Sequence, residues 1–139
     1  MKRSHGLIQL SREHHTALVL AKRARRAAAA TADAVRDCIA VIGTAFATEL
    51  EPHFRIEEDA LLPALAELGH SEAMALVEQT LAEHAVLRAL AARLAAGDER
   101  CLDQFGEALA AHVRFEEQVL FPAAESMLAQ EVLDAVRRC

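Results

Sequence analysis

A near-repeat of one helical segment constrains this chain more than any other feature. HFRIEEDALLPAL begins at His53, and HVRFEEQVLFPAA begins at His112. In each copy a His and a Glu are four residues apart, so both side chains project from one face of a helix. A second similar pair, EHHTALVLAKR from Glu13 and EHAVLRALAAR from Glu83, precedes the two copies. The sequence therefore predicts two helical hairpins of one design.

The composition is typical of an all-helical domain. Hydrophobic residues make up 53% of the 139 residues and aromatic residues 4%, with no Trp or Tyr. The apolar residues are largely Ala and Leu, which favour helix, and they recur at three- and four-residue steps without strand alternation. We expect a single domain over residues 1–139, all-α, forming an antiparallel up-down-up-down four-helix bundle with a short extra C-terminal helix.

Turn residues set the expected helix boundaries. LGHS ends with Ser71 and AGDER contains Asp98, so each stretch offers a Gly stop followed by an N-cap. The Leu-x-Pro-Ala stretch that closes each repeat copy is expected to halt its helix. The predicted helices cover residues 7–29, 33–50 with a bend at Pro52 and a continuation toward Leu68, 72–96, 99–121, and a terminal stretch from Glu125 to Arg137.

The charge balance argues against nucleic acid as a partner. The net charge is −6, whereas phosphate binding needs a surplus of basic residues on one face. A basic cluster follows the first His pair, but its position before a run of alanines indicates one solvated helix end. Its members are Lys22, Arg23, Arg25 and Arg26. No 18-residue apolar run is present, so we expect no membrane partner. The sequence indicates no protein partner.

The cysteines indicate a reducing compartment. Cys38, Cys101 and Cys139 are odd in number and lack CxxC spacing, so neither a disulfide framework nor a thiolate zinc site is predicted. The N-terminal apolar stretch is too short for a secretory signal. We expect a cytoplasmic protein, with Cys139 as an exposed thiol that has no assigned task.

Six residues on the four long helices form a candidate metal site. Each HxxxE pair can converge on one ion, and the two remaining helices each supply one His. Taken singly, each residue is more simply explained as a hydrogen-bonded core His or a surface pair. Taken together, four buried imidazoles and two carboxylates would carry a large desolvation cost that metal ions remove. The predicted ligands are His14, His53, Glu57, His84, His112 and Glu116.

The first helix offers two neighbouring histidines. On a helical wheel His14 shares its side with Leu10 and Ala17, whereas His15 lies beside Arg12 and the basic cluster. We predict His14 as the ligand, with His15 as the alternative.

The remaining polar residues of the repeat have weaker assignments. Glu58 and Glu117 lie five residues after the His, off the ligand face, which favours a solvated or supporting role over direct ligation. Arg55 and Arg114 are interpreted as salt-bridge partners or as groups that orient a ligand Glu.

The assembled pattern, His14, HFRIE, His84 and HVRFE, resembles the hemerythrin-like family, also called the HHE cation-binding domain. The resemblance implies a four-helix bundle with a non-haem di-iron centre, the same six ligands, and Glu57 and Glu116 as bridging carboxylates. It also implies O₂, peroxide or nitric oxide as the small-molecule ligand, in sensing, carriage or turnover.

Two departures from the oxygen-carrying members bear on that expectation. Those proteins have a second His four residues from the first on the third helix, and an HxxxxD motif on the last. Here Thr80 and Arg88 flank His84 at that spacing, and the last motif is HxxxE. One fewer imidazole leaves an additional open position, which favours redox reactivity, sensing or iron handling over reversible O₂ carriage.

Three other functions compete with a di-iron sensor. The same centre could degrade peroxide as an enzyme. A ferritin-like iron store would need Glu-x-x-His on two helices, and the one match, Glu67 to His70, crosses Gly69. A metal-free helical interaction module would leave the six convergent residues unexplained. The donor set accepts manganese or zinc as well as iron.

Overall fold

The computed structural model describes residues 3–136, and its regular structure in that range is entirely helical. Five helical runs follow one another in the chain, four long and one short. They are α1 (Ile8–Ala28), α2 (32–67), α3 (Ser71–Ala95), α4 (99–127) and α5 (Gln130–Val136). The all-α prediction is confirmed. Cys139 and the expected helix end at Arg137 lie outside the described residues.

The turns between the helices match the Gly signals better than the cap signals. Gly69 and Gly97 have positive φ angles, of 74° and 101°, which only Gly adopts at little cost, so they end α2 and α3 as expected. Ser71 is the first residue of α3 rather than its cap. Asp98 precedes α4, but its carboxylate accepts hydrogen bonds from Arg93 and Cys101 instead of a backbone N–H.

The helix continues past the proline in both repeat copies, so the predicted continuation of the second helix toward Leu68 is confirmed, whereas the prediction that Leu-x-Pro-Ala halts the helix is wrong. α2 continues through Pro63 to Glu67, and α4 continues through Pro122 to Met127. The short terminal helix therefore begins at Gln130 and not at Glu125.

Widened π turns carry the helices past their prolines. They span Phe46–Leu50, Glu57–Leu61 and Glu116–Leu120. Each ends two residues before a proline, and the backbone N–H between them donates to the carbonyl five residues back, as Leu62 does to Glu57. Proline lacks an N–H and crowds the preceding turn, and a wider turn relieves that conflict without ending the helix. Two of the three turns begin at the repeat's first Glu.

The buried apolar residues form two clusters, one toward each end of the molecule. One contains Leu20, Phe105 and Leu109, and the other contains Leu10 and Leu65. Along α1 and α3 the chain meets the second cluster first, and along α2 and α4 it meets the first cluster first. On all four helices the candidate His and Glu positions lie between the two clusters.

Two glycines mark close approaches between segments. A Cβ at Gly106 of α4 would lie 2.7 Å from the carbonyl oxygen of Ala21 in α1, so these helices pack backbone to backbone. A Cβ at Gly6 would overlap the carbonyl of Leu133, which presses the segment before α1 against α5. Within residues 3–136, no helix combines the length and the apolar character needed to cross a membrane.

Candidate metal centre

The six predicted residues meet in the polar layer between the two apolar clusters. All are buried, with at most 4% of their surface exposed. They form two groups of four, His14, His53, Glu57 and Glu116, and Glu57, His84, His112 and Glu116. Within each group one donor atom per residue lies within 4.8 Å of the others, so each group could hold a metal ion. Both groups share Glu57 and Glu116.

The imidazoles turn their Nε2 atoms toward the two shared carboxylates. His14 Nε2 lies 2.7 Å from Glu116 Oε1, and His84 Nε2 lies 3.0 Å from Glu57 Oε1. His53 Nε2 lies 3.2 Å from Glu57, and His112 Nε2 lies 3.2 Å from Glu116. The arrangement is a pair of carboxylates surrounded by four imidazole nitrogens.

Four ligand atoms of this layer form the two contacts of 3.2 Å, His53 Nε2 with Glu57 and His112 Nε2 with Glu116, but have no partner in hydrogen-bond geometry. They are Nε2 of His53 and His112, and Oε2 of Glu57 and Glu116. Buried polar atoms without partners are costly and rare, and here all four belong to the candidate ligands. Imidazole nitrogen with carboxylate oxygen suits iron, manganese or zinc. The residues present therefore fit a metal centre.

Four outer carboxylates hold the other nitrogen of each imidazole. The Nδ1 atoms of His14 and His84 lie 2.7 and 2.6 Å from carboxylate oxygens of Glu117 and Glu58. The corresponding contacts of the other two histidines are His53 with Glu13 at 2.8 Å and His112 with Glu83 at 2.6 Å. An Nδ1–H that donates to a carboxylate fixes the tautomer and directs Nε2 inward.

These contacts follow the internal repeat. The Glu immediately before the His of α1 or α3 holds the imidazole of α2 or α4. The second Glu of each repeat copy holds the imidazole of α3 or α1. The two halves of the chain thus orient the imidazoles by the same reciprocal scheme.

The carboxylates also favour protonation of the imidazoles in this layer. Burial disfavours the charged imidazolium, yet the neighbouring carboxylates outweigh it, raising the pKa of His84 to about 9 and that of His112 to about 10. Burial opposes ionisation of Glu116 as well, but His112 and its neighbours hold the pKa of that carboxyl well below its usual range. A metal ion that binds here must displace imidazole protons.

An arginine and an aromatic ring brace His84. Glu58 accepts hydrogen bonds from both terminal nitrogens of Arg88, at 2.8 and 3.1 Å, and Arg88 also binds Glu51. The guanidinium lies 5.5 Å from the ring centre of Phe54. Phe54 in turn stacks on His84 with centroids 4.0 Å apart.

His14 has a similar brace made of other residues. Glu117 accepts hydrogen bonds from Ser11 Oγ, at 2.7 and 2.8 Å, and a longer one from Arg3 at 3.4 Å. Arg3 lies 5.6 Å from the ring centre of Phe121, which stacks on His14 at 5.2 Å. A hydrogen bond of 2.7 Å to Glu125 anchors Arg3 itself.

The structure distinguishes between the alternative roles that the sequence allowed for several residues. His14 is buried in the layer and His15 is exposed. Glu58 and Glu117 belong to neither metal-capable group and act on imidazoles instead. Arg55 is 71% exposed and pairs with Glu51 at 3.6 Å, so it does not orient a ligand Glu.

Several residues of this layer had no role in the sequence pattern, among them Glu13, Glu83, Arg88, Arg3, Phe54 and Phe121. The acid before each His of α1 and α3 was a usable signal, because it recurs in both halves as Glu13 and Glu83. In the sequence, Arg88 is notable only because it lies four residues from His84, the spacing at which the oxygen-carrying members have a second His. Nothing in the pattern marked Arg3.

The fold and this layer define a helical domain with a buried His and Glu cluster able to hold metal. The sequence model of the hemerythrin HHE cation-binding domain matches residues 5–124, so the chain belongs to that family. No curated protein and no solved structure matches the chain.

Proposed function

We propose that this chain holds a non-haem di-iron centre that binds or reacts with O₂, peroxide or nitric oxide, in oxygen, redox or iron sensing or handling. One observation carries the proposal. Two metal-capable groups share Glu57 and Glu116, and four buried ligand atoms of those groups lack a partner in hydrogen-bond geometry. A pair of ions bridged by the two carboxylates would satisfy all four atoms at once.

The ligand assignment follows from the two groups. His14 and His53 would hold one ion, His84 and His112 the other, and Glu57 and Glu116 would bridge them. Bound iron would supply Lewis acidity and redox chemistry. Manganese or zinc would accept the same donors, and the family membership favours a metal cation without selecting one.

The protein's own groups would tune such a centre in three ways. The outer carboxylates keep each Nδ1 proton in place and each Nε2 directed inward. The stacked rings of Phe54 and Phe121 fix two imidazole planes. The apolar clusters on both sides limit water access, which strengthens electrostatic interactions within the layer.

We also infer that the four long helices form the antiparallel up-down-up-down bundle. The support is the alternating order in which successive helices meet the two apolar clusters. Packing of α1 on α4 at Gly106 agrees with neighbouring helices in such a bundle.

Reactivity is favoured over reversible O₂ carriage because the centre has four imidazoles. The two positions four residues from His84 have other partners. Thr80 is buried and donates its hydroxyl to the carbonyl of Leu76 at 2.8 Å, and Arg88 binds Glu51 and Glu58. Neither position supplies a fifth nitrogen ligand.

A peroxide-degrading di-iron enzyme is the second candidate, because the same donor set would serve it. Iron storage is less favoured, since Glu67 and His70 are exposed at the end of α2 and contact neither metal-capable group. We place the protein in the cytoplasm, on the basis that Cys38 and Cys101 are free and buried.

Metal analysis with absorption spectroscopy tests the proposal. Protein purified from iron-supplemented cells should carry about two irons per chain, one for each group. Absorption bands that change on reduction and on addition of O₂ or nitric oxide would support sensing, whereas oxygen evolution from peroxide would favour the enzyme. A fully stable protein that takes up no metal would overturn the proposal.

A further inference from the structure

A cavity of about 200 Å³ lies between α1 and α2 and backs onto α4. We call it the α1–α2 cavity. Its lining comprises Glu13, His14, Thr16, Ala17, Leu20, Thr48, Glu49, Leu50, Pro52, His53, Phe54, Leu109, His112 and Val113. Three of the four candidate imidazoles therefore border it.

The cavity lies beside the metal-capable groups and is distinct from the space between their donor atoms. Glu57 and Glu116, which both groups share, are not among its lining residues. Two metal ions held by those carboxylates would leave the cavity open. Its volume is therefore available to another molecule.

The volume is larger than a diatomic molecule requires. One water occupies about 30 Å³ in the liquid, and a protein cavity of about 150 Å³ accommodates benzene. The α1–α2 cavity is therefore large enough for one aromatic ring with a small substituent.

The lining selects for a neutral, mainly apolar molecule. Ala17, Leu20 and Val113 belong to the apolar cluster and form part of its wall. Thr16 also lines it, and its hydroxyl can meet one polar group. Glu13 and Glu49 also line it beside the three imidazoles, so no single charge dominates, and the apolar wall favours a neutral molecule.

The cavity is open where the first half of the chain has a smaller side chain than the second half. In the alignment of the two EH segments, Ala17 corresponds to Leu87. Leu87 is 1% exposed and fills its place in the core, whereas the shorter Ala17 borders the cavity. Ala17→Leu, which introduces the residue found at the equivalent position of the second half, should therefore close the cavity.

We propose that the α1–α2 cavity binds a neutral organic molecule of about one aromatic ring, next to His14 and His53. The binding rests on the cavity alone, and only its placement beside a reactive metal rests on the proposed function.

A phenol titration followed by NMR tests the proposal on the full chain, both as purified and after chelation. Phenol should saturate with a dissociation constant on the order of 1 mM or tighter, a reasonable strength for seven non-hydrogen atoms. Ala17→Leu should weaken phenol binding by about tenfold or more, since the added carbons occupy the cavity.

Ala85→Leu is the matched control, because it makes the same change at an exposed position of α3 and should leave binding unaltered. In the wild-type chain, phenol protons should show cross-relaxation with the methyl groups of Ala17, Leu20 and Val113. This measurement locates the bound phenol even if Ala17→Leu fails to fold. Unsaturable binding, cross-relaxation at other methyl groups, or undiminished binding to a folded Ala17→Leu would overturn the proposal. Metal content of the same samples reports on the proposed function separately.

Discussion

The two halves of the molecule brace an imidazole in the same manner, although only the carboxylates of the two braces occupy equivalent positions in the repeat. The Nδ1 atom of His84 contacts Glu58, and its ring stacks on Phe54. Arg88 donates a hydrogen bond to Glu58. The Nδ1 atom of His14 contacts Glu117, and its ring stacks on Phe121. Arg3 donates a hydrogen bond to Glu117. In each case an arginine lies over the stacked ring and binds the carboxylate on Nδ1.

Only part of this likeness comes from the repeat. Glu58 and Glu117 occupy equivalent positions, but Phe54 corresponds to Val113 in the other copy, and Phe121 corresponds to Leu62. The shared requirement is physical, because a buried imidazole needs a fixed plane and a compensated charge on its outer carboxylate. Equivalent carboxylates meet it together with aromatic rings and arginines that the repeat does not relate.

The two braces differ in how they are anchored. Arg88 lies within α3 and binds both Glu51 and Glu58. Arg3 precedes α1, contacts Glu117 at the longer distance of 3.4 Å, and shares that carboxylate with Ser11. We therefore expect the halves to tolerate loss of their arginines unequally.

The largest expected effect comes from the carboxylates that both halves share. Glu116→Ala should reduce bound metal from about two ions per chain to nearly none, because Glu116 belongs to both groups. Metal content per chain is the measurement, and Glu107→Ala at an exposed position of α4 is the control. His84→Ala should also release metal. If Glu116→Ala retained one tightly bound ion, the halves would be separate sites.

Removing the charge of an outer carboxylate should have the next largest effect. Glu58→Gln and Glu117→Gln should each lower metal affinity by about 10- to 100-fold, the range typical of groups that orient metal-binding histidines. Competition with a chelator of known affinity measures the change. Equal losses would show that both braces matter, and an unaltered affinity in either variant would contradict the corresponding contact.

The arginine variants examine the difference in anchoring. Arg88→Leu should lower metal affinity by about tenfold, because it releases Glu51 and Glu58 together. Arg3→Leu should cost only about two- to threefold, since Ser11 still donates to Glu117. Arg114→Leu, at an exposed position, controls for loss of a positive charge. A larger loss in Arg3→Leu than in Arg88→Leu would reverse the comparison.

The smallest effect is expected at the neighbour of a candidate ligand. His15→Ala should leave metal content unaltered and shift the free energy of unfolding by less than about 0.5 kcal/mol, because His15 is exposed. Chemical denaturation with metal analysis checks both quantities. Loss of metal in this variant would mean that His15, and not His14, is the ligand.

The sequence was sufficient to select the inner residues of the layer because helical periodicity places each of them on the core-facing side of its helix. A spacing of four places His53 with Glu57, and a helical wheel distinguishes His14 from His15. The outer contacts cross between helices, so their partners depend on helix packing that periodicity does not specify. Glu58 was assigned only as off the ligand face, and its contact with His84 needed the structure.

The helix ends were harder to predict for a different reason. Pro63 normally terminates or kinks a helix, at a cost of about 3 kcal/mol in its interior. Here a π turn carries α2 past it to Glu67. A local rule cannot foresee that outcome, because packing of the residues beyond the proline, such as Leu65, contributes to it.

The π turns at Glu57–Leu61 and Glu116–Leu120 also affect how the chain can change in length. Each behaves as one residue inserted into an otherwise regular helix. Deleting Asp59 or Gln118 would preserve the HxxxE pairs and return that turn to a regular helical turn, so the side chains that follow would keep their orientation. Leu65 and Ala124 would still face the core, but Pro63 or Pro122 would then crowd a regular turn, so the shortened helix would keep its packing and acquire strain at the proline.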